Sequence, residues 1–127
     1  MAGPNVEPRS SEDHSLRVEL TVSDEGRHAI LLAGELDLHT ASQFREALGE
    51  AIDDGVRRLV VDLSEVTFID STALGVLMGG VARLRLVDGS LDVVCPNEKI
   101  RRIFEVTGLD QVLAISAGPE EMLSRSG

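Results

Sequence analysis

Tryptophan and tyrosine are absent from this chain and phenylalanine occurs three times, so any core has to be built from Val, Leu, Ile and Ala, as in the interiors of α/β sheets. A single cysteine, Cys95, excludes an internal disulfide and gives no sign of an oxidising compartment; a cytoplasmic protein is expected. Lying at an apolar strand end before Pro96, it reads as a buried thiol. Positive charge is scarce: 12 Lys and Arg stand against 22 Asp and Glu, a formal net charge of −10. Nucleic acid and anionic membrane, which both require a basic face, are therefore excluded as main partners, and a basic protein surface fits better. No apolar run approaches the ~18 residues of a membrane span, and residues 1–14 lack the basic-then-apolar order of a secretory signal.

Chemical motifs are missing too. His14, His28 and His39 are scattered, and no Cys-x-x-Cys or His-Glu-x-x-His spacing occurs, so no metal or other cofactor is expected. Gly75 and Gly80 are spaced like the glycines of a P-loop, but Val81 and Ala82 stand where Lys and Ser or Thr are required. Gly-x-Ser-x-Gly is absent around Ser71, and His39 is the one candidate base for a hydrolytic use of that hydroxyl.

What is present is enough for one domain: 127 residues, 43% hydrophobic, without repeats or low-complexity blocks. Residues 1–14, with Pro4, Pro8 and Gly3 among acids and serines, read as a disordered tail; the folded domain is expected over 15–124. Leu16, Val18, Leu20 and Val22 alternate with polar residues, the pattern of a half-buried strand. Residues 23–26 form a turn, and Ala29 to Ala33 run apolar like a strand covered on both faces, which predicts a hairpin.

Thr40-Ala41-Ser42-Gln43 fits a capping box, followed by Phe44, Ala47, Leu48, Ala51 and Ile52 at helical spacing and a stop at Gly55. Leu59 to Leu63 reads as a buried strand, and a helix runs from Ser71 towards Val87 with Leu74, Leu77, Met78, Val81 and Leu84 as its core face. Leu91 to Cys95 is a further strand. Ile100, Ile103, Phe104 and Thr107 mark a helix ended by Gly108, Val112 to Ile115 a fifth strand, and Pro119 opens a short last helix. The expectation is an α/β fold: a mixed, mostly parallel five-stranded sheet with an N-terminal antiparallel hairpin and about four helices.

Two junctions carry polar groups that a core does not need. Asp70-Ser71-Thr72 opens the second helix, where a hydroxyl either caps the helix or presents itself at the positive end of the helix dipole. Gly34-Glu35-Leu36-Asp37-Leu38-His39-Thr40 forms the other junction; whether Asp37 and Ser71 share a surface depends on the direction in which the second strand runs. Gly75, Gly79 and Gly80 each cost about 1 kcal/mol relative to Ala in a helix interior, and are accounted for by close packing on the sheet or by a flat face kept bare for another protein.

Four segments in order resemble the STAS domain, and within it the bacterial anti-sigma factor antagonists, or anti-anti-sigma factors. They are Gly34-Glu35-Leu36-Asp37 with Thr40-Ala41, Val60-Val61-Asp62-Leu63, Phe68-Ile69-Asp70-Ser71-Thr72-Ala73-Leu74-Gly75, and Phe104-Glu105-Val106-Thr107-Gly108-Leu109, within a likeness covering 16–123. The resemblance implies the STAS fold and a non-enzymatic regulator that binds an anti-sigma factor with a serine kinase fold and so releases a sigma factor. It makes Ser71 the residue that this kinase phosphorylates to abolish binding, with a separate phosphatase restoring it. Partner contacts are then expected from Asp37, His39, Thr40, Asp70, Ser71, Thr72, Leu74 and Gly75. Ala73 departs from the Gly of many members and adds a methyl group beside the phosphoacceptor. The alternative is a non-catalytic STAS subunit of a larger stress-signalling or lipid-transport assembly.

Overall fold

A computed structural model describes residues 16–22 and 27–118. The expected tail, the turn at 23–26 and the helix opened by Pro119 lie outside the described residues. Among the described residues, five strands, three helices and one short 3₁₀ turn follow in the order β1 (Arg17–Val22), β2 (His28–Leu36), α1 (Ala41–Asp53), β3 (Arg58–Ile69), α2 (Ser71–Arg85), β4 (Ser90–Val94), α3 (Glu98–Thr107), the turn Leu109–Gln111, and β5 (Ala114–Ser116). The strands lie side by side as β1-β2-β3-β4-β5. β1 is antiparallel to β2, and every other pair is parallel. Each parallel pair is joined through a helix, as parallel pairing requires.

The core follows from two periods. Ile30 and Leu32, Leu59, Val61 and Leu63, and Leu91 and Val93 are buried on one face of the sheet, while Leu31, Val60 and Asp92 between them are only half-buried. The helices bring Phe44 and Leu48, Leu77 and Leu84, and Ile100 and Phe104 against that face at spacings of three to four residues. α3 is closed at both ends by side-chain and backbone chemistry. Asn97 accepts hydrogen bonds from the N–H groups of Lys99 and Ile100 at 2.9 and 3.3 Å, and Gly108 takes the left-handed conformation after the last turn.

Two strands depart from the sequence expectation. β1 is not half-buried: Val18, Leu20 and Val22 are exposed, and Leu16 alone of the alternating set is in the core. The strand has the right period, but it is the sheet's outer edge, paired on one side only and beyond the main cover of the helices. β3, expected to end at Leu63, continues to Ile69. Its pairing with β2 slips twice, from Leu31↔Asp62 to Ala33↔Glu65 and from Gly34↔Val66 to Glu35↔Phe68, each slip placing an extra residue in β3. Alternation is lost there: Val66 and Ile69 point inward, leaving Ser64, Glu65, Thr67 and Phe68 exposed.

Candidate functional site

The parallel pairing of β2 with β3 settles the geometry of the two polar junctions. Leu36 pairs with Ile69 at the carboxyl ends of both strands, and the Asp70 N–H donates to the Leu36 carbonyl at 3.1 Å. The Asp37–Thr40 loop and the start of α2 therefore share one edge of the sheet, the usual place for sites in such folds.

Asp70, not Ser71, caps α2. Its backbone is extended, as an N-cap position requires, and one carboxylate oxygen accepts from the N–H groups of Thr72 and Ala73 at 3.0 and 3.2 Å. The other oxygen accepts from the Leu38 N–H at 3.1 Å, so a single side chain ties the loop to the helix. Ser71 is thereby left as the first helical residue, exposed, with its hydroxyl free of any capping duty. The same bonds alter the electrostatics. The first-turn N–H groups that would otherwise cradle an anion already face a carboxylate.

The loop is braced from within. The Thr40 hydroxyl donates to the Glu35 carbonyl at 2.6 Å and accepts from the Asp37 N–H at 3.0 Å. An Asp37 oxygen accepts from the His39 and Thr40 N–H groups at 2.9 and 3.1 Å. Desolvation pushes the Asp37 carboxyl up, but the N–H groups of Thr40 and His39, the Thr40 hydroxyl and the nearby His39 ring outweigh it and hold the pKa below the ordinary 3.8. The capping box expected over 40–43 is not formed. Thr40 makes no side-chain cap because its hydroxyl serves the loop, and Gln43 instead brackets Leu16, donating to its carbonyl at 3.1 Å and accepting from its N–H at 3.3 Å.

Ser71, Gly75 and His39 are exposed, and Asp37, Asp70 and Thr72 are half-buried at the same edge. Two expected contact residues belong to the interior. Thr40 is 1% exposed, locked in the loop, and Leu74 is 8% exposed, one turn into α2 and packed in the core. The Ala73 methyl, expected beside the phosphoacceptor, is also buried, so it cannot shape an approaching surface.

Two residues the sequence reading passed over take their place: Leu38 is 69% and Phe68 48% exposed. Leu38 is presented by its bond to Asp70, and Phe68 is turned out by the second slip in β3. The signal for Phe68 was its polar neighbourhood, Glu65 and Thr67, which interrupts the apolar alternation.

The glycines of α2 divide. A Cβ on Gly80 would lie 3.1 Å from a Leu48 methyl and 3.4 Å from one of Leu91, so this residue permits close packing of α2 on α1 and β4. On Gly75 and Gly79 it would meet nothing within 4 Å. Their helix penalty is not repaid inside the molecule. The whole arrangement presents an exposed hydroxyl, flanked by two engaged carboxylates and two apolar side chains, above a flat helix face. Asp70, committed to three backbone N–H groups, is poorly placed to activate Ser71 as a nucleophile, and the hydroxyl is better suited to receive a group from another protein's active site.

Comparison with known proteins bears on the same residues. The family described as "Mlab, STAS domain" matches residues 20–115. The anti-sigma-B factor antagonist of Staphylococcus aureus is 33% identical over 106 residues, spanning 84% of this chain and 97% of that protein. Among solved structures, an anti-sigma factor antagonist from Mycobacterium paratuberculosis superposes with a TM-score of 0.81 at 28% identity, covering 88% of this chain and 94% of the other. The phosphorylated form of the Bacillus cell fate determinant SpoIIAA superposes with a TM-score of 0.67 at 27% identity, over 87% of this chain and 100% of its own.

Proposed function

The chain belongs to the STAS domain family, among the anti-sigma factor antagonists, and from that premise we propose that it binds an anti-sigma factor with a serine kinase fold, releases a sigma factor, and is switched off by phosphorylation of Ser71. The observation that carries this reading is the division of labour at the start of α2: Asp70 caps the helix, and Ser71, exposed beside it, is left with no structural task. The protein acts as the kinase's substrate and catalyses nothing itself. A phosphatase acting on phospho-Ser71 resets it. The contact surface is Ser71, Thr72, Gly75 and His39 with the exposed Leu38 and Phe68, while Asp37, Thr40 and Asp70 set its shape.

A phosphoserine carries about −1.5 to −2 charges at neutral pH. At Ser71 it would stand next to the Asp70 carboxylate at the same edge as Asp37, adding repulsion and desolvation to any interface formed there. A penalty of about 3 kcal/mol weakens binding more than a hundredfold. The fold tolerates the modification because Ser71 is on the surface, and the positive end of the helix dipole offsets part of the repulsion from Asp70.

The test is binding of wild type, Ser71→Ala and Ser71→Glu to the candidate anti-sigma kinases of the source organism, with and without ATP. Tight binding by wild type and Ala, loss in Glu, and phosphate transfer to wild type alone are expected. Equal binding by all three would return Ser71 to a surface position of no consequence. Co-purification in a stable high-mass complex with ATPase or membrane components, without phosphate transfer, would favour the assembly-subunit role.

A further inference from the structure

A groove of about 360 Å³ runs between α1 and α2, floored by Leu48, Ile52 and Val76 and opened on the α2 side by Gly75 and Gly79. We propose that this groove is the second half of the partner interface and takes a helix of the anti-sigma factor bearing two carboxylates about one to two turns apart, an inference that rests on the antagonist reading above.

Continuity with the phosphoacceptor is the first argument. Ser71, Gly75, Gly79 and Arg83 recur every four residues, so they form one inclined ridge along α2, and the groove opens one turn below Ser71. A partner seated on the Ser71 edge has its next contact there.

Charge supplies the second argument and identifies the occupant. In a chain of net charge −10, this groove is bracketed by two guanidinium groups, Arg45 on α1 and Arg83 on α2. Arg83 is fixed by Asp53 at 2.8 Å and reaches to within 3.7 Å of where a Gly49 Cβ would stand, whereas Arg45 makes no ion pair among the described residues. α1 and α2 each follow a strand of the same direction, so they run side by side in parallel. The Arg83–Asp53 pair and the close approach of Gly80 to Leu48 hold the two helices together, with Arg45 and Gly75 both lining the end of the groove nearer their N-termini. The Arg83 guanidinium lies beside Gly49 and Asp53, one and two helical turns beyond Arg45, so the two cations stand about one to two turns apart along the groove. Carboxylates at i and i+4 or i+7 of an incoming helix match that spacing, and small or aliphatic side chains between them lie on the glycine face. Any side chain at Gly75 or Gly79 would stand in this space, although none is excluded by the fold itself.

The experiment measures affinity of unphosphorylated Arg45→Glu and Gly79→Leu for the same anti-sigma kinase, with Ser71→Glu as reference and thermal unfolding as the control for folding. Each groove variant is expected to lose roughly tenfold or more in affinity. Reversing an acidic residue of the partner helix to Lys is expected to restore Arg45→Glu specifically. If Gly79→Leu does not fold, Arg45→Glu, an exposed change, still decides the matter. Wild-type affinity in the groove variants alongside loss in Ser71→Glu would overturn the groove while leaving the antagonist reading in place. Failure of wild type itself to bind any anti-sigma factor would overturn both.

Discussion

Asp70 is the residue on which the site depends. Its carboxylate serves the N–H groups of Thr72, Ala73 and Leu38, so Asp70→Ala removes a helix cap and releases the neighbouring loop together. Loss of a cap of this kind costs about 1–2 kcal/mol, and a urea titration of Asp70→Ala is expected to show a lower midpoint with an unchanged slope. Asp70→Asn, which keeps an acceptor, should lie between the variant and wild type.

Asp37 makes a pH-dependent contribution of definite sign. Because the folded protein holds its pKa below the ordinary 3.8, the carboxylate's stabilisation is complete above that value and is lost as pH falls through the lower folded value. Denaturation of wild type and Asp37→Asn across this acid range should show a stability difference that is constant above about pH 5 and shrinks below 3.8. The same pair of aspartates accounts for the placement of the exposed site residues. Both carboxylates are engaged with backbone N–H groups, Asp70 with that of Leu38 and Asp37 with that of His39, and so hold the backbone of the exposed residues in place.

At the scale of the element, α2 combines two uses of glycine. Gly79→Ala adds a methyl that meets nothing, so the helix should gain up to about 1 kcal/mol, raising Tm by roughly 4 °C. Gly80→Ala gains the same propensity but presses on Leu48 in the core and should be less stable than Gly79→Ala when the two are compared by calorimetry. Gly89 is stricter still. A Cβ there would stand 2.5 Å from the Arg57 carbonyl, a backbone atom that cannot rotate away, and Gly89→Ala should cost about 1–3 kcal/mol by chemical denaturation. A stabilised helix face is not a better binding face: the glycines that the fold does not require are those beside the Ser71 edge. β3 shows the reverse relation, since its two slips sacrifice regular pairing and thereby bring Phe68 to the surface.

For the whole molecule, charge and topology decide how partners approach. A net charge of −10, with Asp37 and Asp70 at the site edge, would steer a basic surface towards the start of α2, while the two arginines lie further down the groove. Association with the anti-sigma factor should therefore slow as salt is added, a dependence that stopped-flow mixing at low and high ionic strength would register chiefly in the association rate. Equal rates at both would count against electrostatic steering by the acidic edge. No helix among the described residues is long and apolar enough to cross a membrane. The edge strand β1 leaves Val18, Leu20 and Val22 uncovered, a feature of the sheet's limit and not of the strand's own pattern.

The order of strands and helices, the core faces of α1 and α2, and the importance of the 70–71 junction were all legible in the sequence, because period and punctuation are local properties of a chain. So was the family, carried by four short segments in order. What only the tertiary structure decided depends on distant groups competing for the same atoms. Gln43 was free to close a capping box until Leu16, far away in sequence, offered its backbone. The Ser71 hydroxyl was the candidate for the cap, but in the fold Asp70 takes that place, its other carboxylate oxygen receiving the Leu38 N–H across the parallel β2–β3 edge. Leu74 and Thr40 were expected as contact residues from the resemblance, which places them in the matching motifs; packing buried both. Sequence specifies which groups can bond and which faces are apolar. Only the fold brings together partners from separate segments, and burial then determines which side chains remain for another protein to meet.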